Sequence, residues 1–292
     1  MKVLITGASG QLGHDAAKTL TARGVPFLGV GSKELDVSDR DAVLRVFDTY
    51  RPDAVLHCAA WTKVDLAEDE PELCMRVNAD GTQNVAEACR ELGAKLLYVS
   101  TDYVFPGTGE TPWETDDATG PLNVYGKSKL AGEAVVKELV EKHFIVRTSW
   151  VIGEHGNNFV KTMLRLAETH SELRVVDDQI GSPTFTADLA SLLCNMIATE
   201  QYGVYHATNE GFCSWAELAE AVFRLTGKDV AVIHVSTEEY GARAVRPKNS
   251  RLSKASLDAG GFERLPEWKD ALEQYLMYCE KEKLDSRGVY NG

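Results

Sequence analysis

Two patterns of apolar residues alternate along the first half of the chain. Short contiguous apolar runs, often β-branched, occupy 2–6, 26–30, 53–57, 95–100 and 143–149. Between them apolar positions recur at three- and four-residue spacing. Leu12, Ala16, Ala17 and Leu20 do so within 11–23, and Val43, Val46 and Phe47 within 39–50. Longer stretches of the same kind cover 72–92, ended by Gly93, and 123–142. The contiguous runs predict strands buried on both faces, and the spaced ones predict amphipathic helices. Ser38 or Asp39 is placed to cap the second helix. This rhythm predicts a parallel sheet with helices on both faces, that is, an α/β fold of the Rossmann-like, doubly wound kind.

After Trp150 the rhythm changes. Helical patterns fall at 158–169, 186–199, 214–226 and 266–283, separated by short strands at 174–176, 204–206 and 230–235. They predict a smaller C-terminal α/β part. No Pro/Gly linker precedes it, so the two parts are expected to pack tightly and interleave. The polar tail 285–292 is expected to be mobile.

Composition narrows the function classes. At 292 residues the chain holds two domains at ~150 residues each, or one large unit. Its 31 basic and 44 acidic residues give a net charge of −13. That argues against nucleic acid or an anionic membrane as partner. A local positive cluster could still hold a small anion. No stretch reaches the ~20 apolar residues of a membrane span. The N-terminus opens on Val3-Leu4-Ile5 with no secretory pattern. The six cysteines lie singly, without metal-ligand spacing. Reduced, mostly buried thiols in a cytoplasmic protein are expected.

Five features carry chemistry. Gly7-Ala8-Ser9-Gly10-Gln11-Leu12-Gly13 follows the first strand and opens the first helix. Glycines there permit a tight turn and a close approach of backbone N–H groups to a pyrophosphate. Residues 1–150 are therefore read as a dinucleotide-binding domain and 151–292 as the substrate-binding part. At the end of the second strand the chain reads Val30-Gly31-Ser32-Lys33, with no acid at the tip. An acid there would hold the ribose hydroxyls of NAD, whereas Ser32 and Lys33 suit a 2′-phosphate. NADPH is favoured and NADH left open. Asp36, followed by Val37, could accept from the adenine amino group. Small residues after the third strand, Cys58-Ala59-Ala60, leave room for a ligand, with Trp61 next in line. The fourth strand ends in Ser100-Thr101-Asp102-Tyr103, where a hydroxyl could meet a substrate carbonyl.

Tyr125 and Lys129 share a helix face, one turn apart. A free phenol, with a pKa of ~10, is a poor acid at neutral pH. A nearby ammonium is expected to lower it and make the phenol a usable proton donor.

Together these residues resemble the extended short-chain dehydrogenase/reductase family: Gly7, Gly10 and Gly13, the run from His57 to Ala60, the run from Val77 to Asn84, Thr101, Tyr125 and Lys129. Within that family the stretches 100–109, 121–133, 147–151, 156–163, 178–184 and 246–252 are similar to the dTDP-4-dehydrorhamnose reductases. The resemblance implies reduction of the C4 ketone of a dTDP-sugar by NADPH or NADH. It implies Tyr125 as proton donor, Lys129 as its activator and ribose ligand, and Thr101 as the hydroxyl on the substrate carbonyl. It places Asp102, Tyr103 and Trp150 against the sugar. Arg246, a guanidinium able to meet a diphosphate, is added on chemical grounds. Some family members form metal-linked dimers through carboxylates, one just behind the third fingerprint glycine. Asp15 stands there, shorter than the usual Glu, and is read as an exposed helix residue. No metal is expected to be required, and a Mg-supported homodimer is left open. Two other readings stay open: another nucleotide-sugar reductase or epimerase of this fold, and a non-catalytic NADP-binding regulatory subunit.

Overall fold

The computed structural model describes residues 1–288. Five strands come from the apolar runs: β1 (Val3–Thr6), β2 (Phe27–Val30), β3 (Ala54–His57), β4 (Lys95–Thr101) and β5 (His143–Thr148). All are parallel, and a sixth strand, Gly203–His206, pairs in parallel with β5. The order across the sheet is Gly203–His206, β5, β4, β3, β1, β2. The order reverses between β1 and β3. Ligands of open parallel sheets bind outside the carboxyl ends of the strands at such a point.

Alternation along the strands builds two apolar layers. Val3, Ile5, Leu56, Leu97 and Val146 face one layer; Leu4, Val55, Leu96, Tyr98 and Ile145 face the other. Helix α1 (Gln11–Ala22) covers the first layer together with the helix Thr186–Met196. Helix α2 (Arg40–Tyr50) helps cover the second, capped by the Asp39 carboxylate, which accepts from Ala42 N. Four further helices follow in chain order: α3 (Val64–Ala67), α4 (Pro71–Met75), α5 (Gly81–Leu92) and α6 (Val124–Leu139).

The structure differs from the sequence-based expectation at three places. The strand expected at 204–206 in the smaller part closes the edge of the main sheet instead. Its buried Tyr205 and Ala207 complete the layer under Phe144 and Val146. The single helix expected over 72–92 is α4 and α5 joined by one wide π-helical turn, Arg76–Asp80. That turn carries the buried Asn78, and such turns mark functional sites often enough to direct attention there. Finally, the helix Trp268–Gly288 runs into the expected mobile tail; residues 289–292 lie outside the described residues.

A third apolar cluster lies beyond the sheet, where Phe159–Leu166, Trp215–Leu225 and the start of Trp268–Gly288 pack together. Short strand pairs brace it, among them Glu172–Val176 with Ala231–Val235. Among the described residues no helix is long and apolar enough to cross a membrane.

Candidate active site

A cleft of about 590 Å³ opens at the carboxyl ends of the parallel strands. That is the size of an ordinary small-ligand site. Each of its walls is set by a strand exit.

At the β1 exit the chain must turn tightly onto α1. Gly7 has φ +69°, and a Cβ on it would stand 2.6 Å from Ala59 N. A Cβ on Gly13 would stand 2.3 Å from Gly7 O. Neither site admits a side chain. Gly10 caps α1 without a side-chain hydrogen bond, leaving the first N–H groups of the helix for an anion. Gly7, Gly10, Gln11, Leu12 and Gly13 all line the cleft. Gln11 also ties the two parts together, because its Oε1 accepts from Gly153 N at 2.8 Å and Asn158 Nδ2 at 3.1 Å.

Ser32, Asp36 and Val37 line the cleft beyond β2. Lys33 is exposed and is not on its wall. The reading of a tip without an acid is corrected here: Glu34 folds back, and its Oε2 accepts from Gly31 N at 2.9 Å. The turn that closes from Leu35 N to Gly31 O at 2.9 Å brings it there. Asp36 is engaged by Ser38, whose N and Oγ both donate to its Oδ1.

Beyond β3, Ala59 and Ala60 line the cleft, and Trp61 does not. Its backbone is held from behind by Asn78, which accepts from Trp61 N at 2.7 Å and donates to Trp61 O at 3.0 Å. Asn78 Nδ2 also donates to Ser128 Oγ at 2.9 Å, and Ser128 Oγ donates to Tyr125 O. One buried amide thus links the β3 exit to the start of α6. Sequence reasoning included Asn78 in the 77–84 run that carries the resemblance but gave it no role, since nothing local marks a π-helical turn.

Thr101 Oγ1 donates to Asp102 Oδ1 at 3.0 Å and accepts from Tyr103 N at 3.2 Å. Ser250 Oγ holds the other Asp102 oxygen. Asp102 is buried, and burial pushes its pKa up to about 6 against these two donors. Its carboxyl therefore binds a proton more tightly folded than unfolded. Wild-type stability from this group falls as pH rises from 3.8 through about 6. Asp102→Asn should escape that loss, so its Tm relative to wild type should rise by at least about 3 °C across the interval. Parallel melting curves at pH 4 and pH 7 that show a constant difference would refute the shift.

Tyr125 and Lys129 both line the cleft from α6, which Asn123 caps through its Oδ1. Tyr125 meets Tyr103 edge to face at 5.6 Å. Lys129 is buried, with Nζ 4.0 Å from the Tyr98 ring centre. Burial raises the Tyr125 pKa, eased by the Thr101 hydroxyl and reinforced by Asp102. The expected lowering by Lys129 is not among the influences on this phenol; Lys129 is desolvated too and is itself pushed down to about 7. The Glu133 carboxylate, one turn further along α6, works in the opposite direction on Lys129.

Trp150 lines the remaining wall in a left-handed conformation, φ +48°, and stacks on Trp215 at 3.7 Å. A tryptophan held there costs about 1–3 kcal/mol, a strain that clusters at ligand sites. Arg246 stands behind the lining, near enough to the Tyr103 hydroxyl to act on its pKa. Its guanidinium is gripped by Asp65 at 2.6 and 3.1 Å and does not line the cleft. Asp15 is buried rather than exposed, and it accepts from Thr186 Oγ1. The helix Thr186–Met196 packs over that side of α1 and removes it from solvent.

Comparison with known proteins agrees with this architecture. Residues 1–280 match the family model described as RmlD substrate binding domain. A dTDP-4-dehydrorhamnose reductase of Streptomyces griseus is 46% identical over 284 residues, covering 94% of this chain and 93% of that protein. The spore coat polysaccharide biosynthesis protein SpsK of Bacillus subtilis is 42% identical, covering 94% and 96%. The crystal structure of dTDP-4-dehydrorhamnose reductase from Bacillus anthracis in complex with NADP superimposes with a TM-score of 0.93 at 46% identity, covering 95% of this chain and 99% of that one. Matched along nearly its whole length in sequence and in fold, the chain belongs to the RmlD substrate binding domain family.

Proposed function

We propose that this chain reduces the C4 ketone of dTDP-4-dehydro-L-rhamnose to dTDP-L-rhamnose, using NADPH. The observation that carries the reading is the convergence of Thr101, Tyr125 and Lys129 with the Gly7–Gly13 turn on one cleft. The cleft fits a dinucleotide: Gly7 and Gly13 of its fingerprint turn admit no Cβ, and the N-terminus of α1 has no side-chain cap. Bound NADPH supplies the hydride for the ketone carbon.

The protein's own residues manage the oxygen. Thr101, turning its one hydroxyl hydrogen from Asp102 Oδ1 to the substrate, donates a hydrogen bond to the ketone oxygen, and Tyr125 donates a second. As the C–O π electrons settle on oxygen, Tyr125 transfers its proton there. A phenol whose pKa burial has raised keeps that proton at neutral pH, which suits reduction. The alkoxide is far more basic than the phenolate left behind, so the transfer runs downhill. Lys129 then shields the phenolate and binds the cofactor ribose, and its pKa near 7 allows it to pass a proton on. Trp150 and Tyr103 shape the sugar side. With a net charge of −13, the chain relies on Lys129 and the α1 N-terminus to hold two anionic ligands.

The test is loss of NADPH absorbance with purified protein. dTDP-4-dehydro-L-rhamnose should be consumed in preference to the UDP and GDP 4-ketosugar analogues. Turnover with none of them would overturn the reading and favour the regulatory one.

A further inference from the structure

Thr101 has one hydroxyl hydrogen, and two oxygens compete for it. The fold gives it to Asp102 Oδ1, at 3.0 Å, while reduction needs it on the ketone oxygen. Asp102 is buried on the cleft wall, and its second oxygen accepts from Ser250 Oγ. Ser250 comes from the C-terminal part. Its backbone is fixed there, with Ser250 N on Ile180 O at 2.8 Å and Ile180 N on Lys248 O at 2.8 Å. A carboxyl held on both oxygens does not swing away from Thr101. What it can change is its proton. An ionised Asp102 only accepts. It keeps the Thr101 hydrogen, and its charge opposes the negative charge that develops on the ketone oxygen. A neutral Asp102 with its proton on Oδ1 donates to Thr101 Oγ1 instead. That oxygen then accepts twice, from Asp102 and from Tyr103 N at 3.2 Å, and its own hydrogen turns to the substrate.

We propose that Asp102, held by Ser250, is a positioning residue whose neutral form aims the Thr101 hydrogen at the ketone oxygen, an inference that rests on the reductase reading. Asp102 keeps its proton throughout, and the proton gained by the substrate oxygen still comes from Tyr125. The groups that face Asp102 are the hydroxyls of Thr101 and Ser250 and the phenols of Tyr103 and Tyr125. Charged groups on the elements around it are engaged with other partners. Lys248 pairs with Asp178, and Arg251 donates to Asn249 Oδ1. Lys129 lies over the Tyr98 ring, Glu133 is bound by Arg147, and Arg246 by Asp65. Burial therefore favours the neutral acid, with a pKa of about 6, and the two hydroxyls favour the anion.

The experiment measures kcat between pH 5 and pH 8 on the full chain, from initial rates at saturating NADPH and dTDP-4-dehydro-L-rhamnose, for wild type, Asp102→Asn and Ser250→Ala. Wild-type kcat should fall by about five- to tenfold as pH rises and Asp102 ionises, the worth of one ordinary hydrogen bond in the transition state. Asp102→Asn imitates the neutral acid, because its amide N–H donates to Thr101 and its amide oxygen accepts from Ser250. It should hold the wild-type pH 5 rate across the range. Ser250→Ala removes a donor to the anion, so its limb should lie about one pH unit higher. A flat wild-type profile, a limb that stays in place in either variant, or an Asp102→Asn rate no better than wild type at pH 8 would overturn the role of Asp102 and leave the reductase reading standing. Turnover by none of the three proteins at any pH would overturn both.

Discussion

Tyr125→Phe should lower kcat by about 10²–10⁴-fold, the usual contribution of a positioned proton donor, while NADPH binding stays near wild type. The phenol is half-buried on the cleft wall beside Thr101, and its ring packs edge to face on Tyr103. Removing one oxygen keeps that packing and removes the proton. Thr101 remains to hydrogen-bond the carbonyl oxygen, so a residual rate should persist, and the loss should fall on kcat more than on KM. Steady-state rates and a separate cofactor titration distinguish the outcomes. Wild-type turnover would remove Tyr125 from the chemistry, and lost cofactor binding would make its role structural.

Arg147→Met should be the costliest single change to stability, at about 3–5 kcal/mol. Arg147 and Glu133 form a buried, two-pronged pair, Nε to Oε1 at 2.8 Å and Nη2 to Oε2 at 2.7 Å. Ser100 Oγ adds a third donor to Glu133 at 2.6 Å, and Arg147 Nη1 reaches Thr115 O at 3.1 Å. The variant strands a carboxylate in an apolar interior, where the cations that remain are the half-exposed Lys137, at 3.8 Å, and the buried Lys129 one turn back along α6. Thermal unfolding should show a drop of roughly 10 °C at ~2–4 °C per kcal/mol. Glu133→Gln combined with Arg147→Met should recover much of it, because the orphan charge is the main penalty. A Tm unchanged in the single variant would mean that the pair does not hold the fold. The pair also bears on the site, since Ser100 precedes Thr101 and Arg147 precedes the Thr148–Trp150 wall.

The parallel sheet was legible because strands buried on both faces read as contiguous apolar runs, and the helices between them as spaced ones. Tyr125 and Lys129 were legible because helical geometry alone puts them on one face. Gly7 and Gly13 were legible because their turn tolerates no side chain. The strand Gly203–His206 looked like any short strand, and its place beside β5 follows from which edge it can bury. Asn78 lies in the 77–84 run that carries the family resemblance, but its role was not legible, because that role depends on a widened helical turn and on the Trp61 backbone arriving beside it.

What the sequence by itself determined is therefore local: the period of each element, the glycine turn, and the helix face carrying the phenol and the ammonium. These follow from backbone geometry within a few residues. Tertiary structure decided the rest. It buried Asp15 under a distant helix, held Arg246 on Asp65, raised the Tyr125 pKa that local reasoning lowered, and returned Glu34 to the tip of β2. Each of these depends on desolvation or on a partner brought in by folding, and neither quantity exists until the chain is packed.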